Sequence, residues 1–471
     1  MRRLSPPPSP AHDSRVTGAE VMRFTDAGLG NDSYLVVAGA AAVAVDPFRD
    51  VRPYLHAAAE REVSILGTAE THLHADFVSG ARELAARGAA VFAGARADLA
   101  FPHRRVHDGD RIEVDGIVLT ALATPGHAPE HVAYLLEGAG PPVLFTGGAL
   151  MPGGAARTDL LGEERTVELA RELYRTLHRR LAGLPDETVV NPTHGAGSFC
   201  SAAPTGGQRS TTLGRERRAN PLLQATSEAE FVEILVAGYG LYPAYFRRLR
   251  EVNRAGPRLV ERPPSPRRMS AGEFAAQLDA GAWPIDVREP RRYAQRHLRE
   301  SVHIVVGDTF AVRLGWVVPW GSRLVLVAES QREADLAATK AAGIGFDDVG
   351  GWAPIASLRR AAMPMASLEW LEPEELAARL ESGERPALLD VRRPEEAAAG
   401  VIPGARNVEF GALAEGIPPA ARKGPVVTYC QTGPRATLAA SLLERAGVGP
   451  LGVLPEGPRG WRAAGHDLTR P

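Results

Sequence analysis

The chain has 471 residues, 44% hydrophobic and 23% charged, ordinary proportions for globular protein. Its 54 Lys and Arg against 56 Asp and Glu leave a formal charge of −2, which excludes a global field for nucleic acid or anionic membrane. No run of apolar residues is long enough for a helical membrane span, and the length sets an expectation of about three domains. The opening MRRLSPPPSPAHDS lacks the apolar stretch of a secretory signal, and residues 1–17 are expected to form a disordered tail. Two cysteines, Cys200 and Cys430, rule out a disulfide framework. They suit a reducing compartment, so a cytoplasmic location is expected.

Residues 18–256 alternate short apolar strands with turns. YLVVA (34–38), AAVAV (41–45), SILGTA (64–69), AAVFAG (89–94), PVLFTG (142–147) and TVVNP (188–192) are the expected strands. The spacing of Leu169, Leu173, Leu177 and Leu181 predicts a helix over 166–183, and Ser227-x-x-Glu230 caps another over 228–237. Histidines fall just after strands: His72 and His74 with Asp76 in THLHADF (71–77), His127 in TPGH and His194 in PTHG. One histidine alone is more often structural, but three such loops at strand ends form a candidate metal site. His103, His107, His131 and His178 read as ordinary polar residues.

This pattern resembles the metallo-β-lactamase fold, an αββα sandwich, and more closely the persulfide dioxygenases of that fold. The likeness includes ARTDLLG (156–162) and HGAGSFCS (194–201). It implies one non-haem iron per chain, held by two histidines and a carboxylate, with zinc as the alternative. The implied chemistry is oxygen-dependent oxidation of a low-molecular-weight thiol persulfide to sulfite. His72 and His127 match the family's iron ligands, and Arg157 and Cys200 are expected to contact the sulfur substrate. Two positions depart from the family. The motif H-x-H-x-D-H ends in Phe77, and the ligating Asp of the T-G-D segment is Gly148 in TGGALMPGG. Asp76 and Asp159 are the carboxylates near enough in sequence to replace it. A glyoxalase II-type zinc hydrolase shares the TPGH segment but needs ligands that Phe77 and Gly148 remove. A metal-free scaffold is the non-enzymatic alternative for this region.

PRLVERPPSPRR (257–268) reads as a linker. An internal repeat follows it. EFAAQLDAGAWPIDVREP (273–290) matches ELAARLESGERPALLDVRRP (375–394), placing Asp286-Val287-Arg288 against Asp390-Val391-Arg392. Two α/β domains with parallel sheets are expected, at 269–363 and 364–471. The segment GDTFAVRLGWVVPW (307–320) is expected to be core or interdomain surface rather than a ligand groove.

In YCQTGPRAT (429–437) an apolar strand runs into Cys430, then a tight loop, then an amphipathic helix. A thiol at a helix N-terminus among inward-pointing N–H groups is favoured as thiolate, and Arg435 adds positive charge. C-x-x-G-x-R after a strand, with DVR…GVIPGARN (390–407) and EGPRGW (456–461), closely resembles the active loop of rhodaneses. The resemblance implies that Cys430 carries sulfane sulfur, with Gly433 in the substrate loop and Arg435 orienting an anionic donor. Val401 stands where the family usually has His. Phosphatases have a similar but longer C-x5-R loop and want a hydroxyl after the Arg, whereas four residues separate Cys430 from Arg435 here and Ala436 supplies no hydroxyl. The first copy reads VAESQREAD (327–335), with Glu329 near the nucleophile position and no thiol, so it is expected to be inactive. The whole is expected to act on thiol persulfide, thiosulfate or sulfite, with no nucleic-acid or membrane partner; homo-oligomerisation is left open.

Overall fold

A computed structural model describes residues 14–16, 18–138, 140–195, 197–202, 207–260, 262–422 and 424–471. The chain divides into two compact units. One is residues 1–263 with 342–345; the other is 264–341 with 346–471.

The first unit is built on two sheets. Ser14–Val16 (β1), Ala19–Asp26 (β2), Asn31–Ala38 (β3), Ala41–Val45 (β4), Ser64–Glu70 (β5), Ala90–Gly94 (β6) and Arg104–Val106 (β7) lie in that spatial order. Arg111–Val114 (β8), Ile117–Ala123 (β9), Val132–Leu136 (β10), Val143–Gly147 (β11), Val189–Pro192 (β12) and Thr211–Thr212 (β13) form the second. Alternation along each strand divides the cores. Tyr34, Val36, Val43 and Val45 point inward against Leu119, Ala121, Tyr134 and Phe145 of the other sheet. Leu35, Val37, Ala42 and Ala44 point outward under Tyr54, Ala57 and Leu84 of the covering helices. Ala133, Leu135, Leu144 and Val190 do the same under Leu173, Leu177, Phe231 and Leu235. Four layers, αββα, result.

Part of the segment 1–17 is a strand. Ser14–Val16 pair antiparallel with β2, so only residues 1–13 and 17 of that stretch lie outside the described residues. The expected 166–183 helix starts earlier, at Glu163–Arg175, and closes in one π-helical turn, Thr176–Arg180. Ser227 caps Glu228–Ala237 through the Glu230 N–H, as its spacing predicts.

The segment 257–268 is held at both ends rather than free. Arg82 donates to the Gly256 and Pro257 carbonyls at 2.9 and 2.5 Å, and the Val260 N–H donates to Glu83 at 2.5 Å. Further on, Gln331 donates to the Pro266 carbonyl at 2.8 Å, and Arg268 bridges to Trp352.

The second unit contains both copies of the repeat. Trp283–Asp286 (β14), Val302–His303 (β16), Leu324–Val327 (β17) and Val349–Ala353 (β18) form a parallel sheet in the order β16-β14-β17-β18. His297–Leu298 (β15) and Met365–Ala366 (β19) make a small antiparallel pair. Glu369–Trp370 (β20), Ala387–Asp390 (β21), Arg406–Asn407 (β22), Val426–Tyr429 (β23) and Leu451–Leu454 (β24) form a second parallel sheet, ordered β20-β24-β23-β21-β22. The copies share register: Asp286 pairs with Val327 as Asp390 pairs with Tyr429. In both, the buried Asp accepts from the Arg two residues on, which in turn donates to a carbonyl at 2.8 Å, that of Arg296 or Gly400. None of the helices among the described residues is long and apolar enough to cross a membrane.

Candidate functional sites

In the first unit, the loop after β5 carries THLHADF, and all seven residues are buried. The helix Phe246–Ala255 fastens this loop. Asn253 Nδ2 donates to the His74 and Phe77 carbonyls at 2.8 and 2.9 Å, and Arg250 reaches the Leu73 carbonyl at 3.2 Å. Just before that helix, the Tyr245 hydroxyl donates to the Asp76 carbonyl at 2.9 Å. The loops after β9 and after β12 bring His127 and His194 to the same point.

Three tautomers are fixed by what each Nδ1 touches. His127 Nδ1 lies 2.6 Å from the Arg157 carbonyl, which can only accept, so it carries the proton. Thr71 Oγ1 spends its hydrogen on Asp46 Oδ2 at 2.7 Å, so His72 Nδ1, 2.8 Å away, must donate to it. His194 Nδ1 faces two acceptors, Asn31 Oδ1 at 3.2 Å and Asp76 Oδ2 at 3.3 Å. Each Nε2 therefore carries a bare lone pair. The Nε2 atoms of His72 and His194 stand 3.2 Å apart. Two nitrogens about 2.05 Å from one tetrahedral ion would stand about 3.3 Å apart. Without a cation between them this contact is lone pair against lone pair, so the residues fit a bound metal. Burial and the neighbouring imidazoles push the pKa of His72 well below the ordinary value; burial and His194 do so for His127. Both are thus held in the neutral, ligating form.

The other expected residues have different surroundings. His74 Nε2 lies 3.2 Å from Asp46 Oδ1, and its ring stacks on Phe77 with centroids 4.2 Å apart. Burial opposes charge on His74, but the Asp46 carboxylate outweighs it and the pKa is raised. Its ring nitrogens also group with those of His72 and His194 within 4.8 Å. Asp76 accepts from Asn31 at 2.6 Å besides facing His194. Burial disfavours its charge, yet His194 and the other partners hold its carboxyl below the ordinary value. His131 is saturated, since Nε2 accepts from the Gly148 N–H at 3.0 Å and Nδ1 meets Thr124 Oγ1 at 2.8 Å. Both oxygens of Asp159 are taken by Arg157, at 2.6 and 2.7 Å. The Arg157 side chain is buried beneath Tyr239 and Tyr242, 5.1 and 4.4 Å from their ring centroids. Its donors are engaged internally, so it acts through its backbone. Cys200 is fully buried, and burial and Asp76 push its thiol pKa well up. Asp46, Asn31 and Thr71, which orient the imidazoles, were not anticipated. Asp46 ends the β4 run AAVAVD, a polar residue closing an apolar strand, and that was the available signal.

In the second unit, Cys430 follows β23 and is buried, with the Gly433 N–H donating to its Sγ at 3.2 Å. Gly433 (φ +97°) leads into the helix Pro434–Arg445. Gly457, at φ +44°, explains the EGPRGW signature: a Cβ there would lie 1.9 Å from the Cys430 carbonyl oxygen. Arg435 forms a two-pronged pair with Glu396 at 2.5 and 2.8 Å, and its guanidinium also interacts with the Cys430 side chain. A second guanidinium acts on Cys430, that of Arg313 in the helix Phe310–Val317 of the first copy. Among the described residues this guanidinium has no hydrogen-bond or ion-pair partner. Burial depresses its pKa to about 10, and it remains charged near neutrality. This helix seats against the C-terminal copy: Trp316 meets Phe410 at 6.2 Å, and a Cβ on Gly411 would lie 2.6 Å from the Trp316 ring. In the first copy the residue following β17 is Ala328, which takes the place of Cys430; Glu329, one residue on, pairs with Arg292.

Residues 27–194 match the metallo-beta-lactamase superfamily, and residues 372–464 match the rhodanese-like domain. The human mitochondrial persulfide dioxygenase ETHE1 is 31% identical over 201 residues, 41% of this chain and 70% of that protein. The chain belongs to the metallo-beta-lactamase superfamily and carries a C-terminal rhodanese-like domain. A hydroxyacylglutathione hydrolase of Methylobacterium sp. (strain 4-46) is 34% identical over 213 residues, 38% of this chain and 77% of that one. A crystal structure of a metallo-beta-lactamase from Staphylococcus aureus subsp. aureus COL superposes with a TM-score of 0.65 at 28% identity. It covers 72% of this chain and all of the other, a larger share than the superfamily match alone.

Proposed function

We propose that the first unit oxidises a low-molecular-weight thiol persulfide to sulfite at a single metal ion, and that Cys430 transfers sulfane sulfur. The observation that carries the first half is the convergence of three imidazoles whose Nδ1 protons are all committed elsewhere. His72, His127 and His194 would hold the ion, iron being the natural choice for oxygen chemistry and zinc the alternative. When bound, the metal supplies the means of bringing oxygen to a persulfide sulfur. The reaction consumes one O2 and one water per persulfide and releases thiol and sulfite. The protein's share is to keep the imidazoles neutral and oriented through Asp46, Asn31 and the Arg157 carbonyl. Similarity to ETHE1 over 70% of that protein supports this reading.

In the second unit, the Cys430 thiolate attacks the outer sulfur of a donor such as thiosulfate. A new S–S bond forms on Cys430, the donor's S–S bond breaks, and sulfite leaves with the electron pair. An acceptor thiolate or cyanide then takes the outer sulfur and Cys430 regains its thiolate. The Gly433 N–H steadies the charge on Sγ, and the unpaired Arg313 guanidinium binds the anionic donor.

A hydrolase reading has support of its own in the similarity to hydroxyacylglutathione hydrolases. Against a two-metal centre stands Phe77, which fills the place of the expected imidazole with a ring stacked on His74. Metal content and O2 uptake with glutathione persulfide, measured on one preparation, decide the matter. Iron-loaded protein that consumes no O2 but cleaves a glutathione thioester would replace the dioxygenase with the hydrolase.

A further inference from the structure

The superfamily's carboxylate ligand cannot simply be supplied at position 148. A Cβ on Gly148 would lie 2.6 Å from His127 Cδ2 and 2.9 Å from the Ala156 Cβ. No carboxylate of the described residues replaces it within the cluster of His127 and His194; the third potential ligand there is Cys200. The ligand atoms of His127, His194 and Cys200 all lie within 4.8 Å of one another, and all three side chains are buried.

The backbone fixes this arrangement in space. Arg157 clamps both residues at once: its N–H donates to the Cys200 carbonyl at 2.8 Å, and its own carbonyl receives His127 Nδ1–H at 2.6 Å. Ala156 and Ser201 form a bridge beside this clamp, and the Cys200 N–H is capped by Ser198 Oγ at 3.2 Å. Cys200 is thus fixed relative to the imidazole that occupies the room an Asp side chain at position 148 would need.

We infer that Cys200 is a metal ligand, its thiolate replacing the missing carboxylate beside His127 and His194. His72 Nε2, 3.2 Å from that of His194, would then supply the third nitrogen of a set of three nitrogens and one sulfur. The charge count supports the exchange. A divalent ion with neutral imidazoles and one thiolate carries the same net charge as with imidazoles and one carboxylate. The softer sulfur donor turns the site toward Zn(II), Fe(II) or Co(II) and away from Mn(II) or Mg(II). The inference rests on the reading that the first unit holds a metal, and adds that sulfur ligates it.

Cobalt separates the two claims. The full chain, stripped of metal and titrated with Co(II), should bind one equivalent. It should then show a thiolate-to-cobalt charge-transfer absorption in the near ultraviolet and the intense visible bands of four-coordinate cobalt. With only two cysteines in the chain, the Cys430→Ser variant should keep the charge-transfer band and the Cys200→Ser variant should lose it. Tight, stoichiometric Co(II) binding without that band in the wild type overturns the role of Cys200 while leaving the metal reading intact. Persistence of the band in Cys200→Ser does the same. Failure to bind Co(II) overturns both. The wild-type and Cys430→Ser spectra decide the question even if Cys200→Ser does not fold.

Discussion

Gly148 shows how one side chain constrains a ligand set. At this position the sequence comparison registers a lost carboxylate, whereas the packing registers an imidazole already in its space. Restoring the family residue should therefore fail. Gly148→Asp is expected to lower bound metal well below one equivalent and to destabilise the protein by about 1–3 kcal/mol through overpacking. Metal analysis and denaturant unfolding check this; a variant with full occupancy and unchanged stability would refute it. Arg313 is the matching case at Cys430. A guanidinium's hydrogen bond to an anion contributes about 1.5–3 kcal/mol. Arg313→Ala should then lower kcat/KM for thiosulfate by about ten- to a hundredfold, mostly through KM, with Arg313→Lys recovering part of it. An Arg313→Ala variant with an unchanged KM would remove Arg313 from donor binding.

Elements place these side chains, and much of their arrangement was legible in the sequence. Continuous apolar runs such as YLVVA in β3 and AAVAV in β4 announce a sheet buried on both faces, and the Asp-Val-Arg pair announces the duplicated turn. What was not legible depends on partners remote in sequence. Nothing local says that Ser14–Val16 finds an edge on β2, that Arg313 approaches a thiol 117 positions later, or which imidazole nitrogen is bare. Asn253 is such a remote partner. Its side chain makes three hydrogen bonds to the segment 74–79, all buried. Asn253→Ala leaves those groups unsatisfied and the ligand loop loose, so metal affinity should fall about ten- to a hundredfold, as for other supporting residues around a metal. Equilibrium dialysis against a chelator measures it. A second element contact gives a pH dependence. Glu444, in the helix that follows Cys430, faces His297 Nε2 at 3.2 Å and accepts the Glu300 N–H at 3.0 Å. Burial raises its pKa, but His297 and the other donors outweigh this, and the net value is lowered. A depressed carboxylate contributes stability above its unfolded pKa of about 4.3 and loses it as pH falls through the lower folded value. Glu444→Gln should therefore be less stable than wild type at pH 7, with the gap closing in acid. A gap that stays constant with pH would assign the effect to packing.

At the scale of the whole molecule, the proposed function assigns two separate chemistries to two units with separate cores. Within the second, the first copy retains its full parallel sheet and its buried Asp286–Arg288 turn although Ala328 stands in the place of Cys430. A copy that keeps the fold without the thiol has a reason to persist if it supplies a group to its partner copy, and the unpaired guanidinium of Arg313 is such a group. In that proposal the two chemistries are linked by their small molecules, since sulfite is a product of persulfide oxidation and the leaving group from thiosulfate. Linkage through diffusing molecules, rather than through shared residues, predicts separable losses. His127→Ala should abolish stoichiometric metal and persulfide-dependent O2 uptake while leaving thiosulfate:cyanide sulfur transfer within about twofold of wild type. Cys430→Ser should do the reverse, removing transfer and leaving O2 uptake with free glutathione persulfide intact. The residues lost in each variant take no part in the other site's hydrogen bonds, so each unit keeps its own hydrophobic core and local stability. Loss of both activities in either single variant would mean that sulfur passes directly between the sites, and the picture of two independent centres would have to be abandoned.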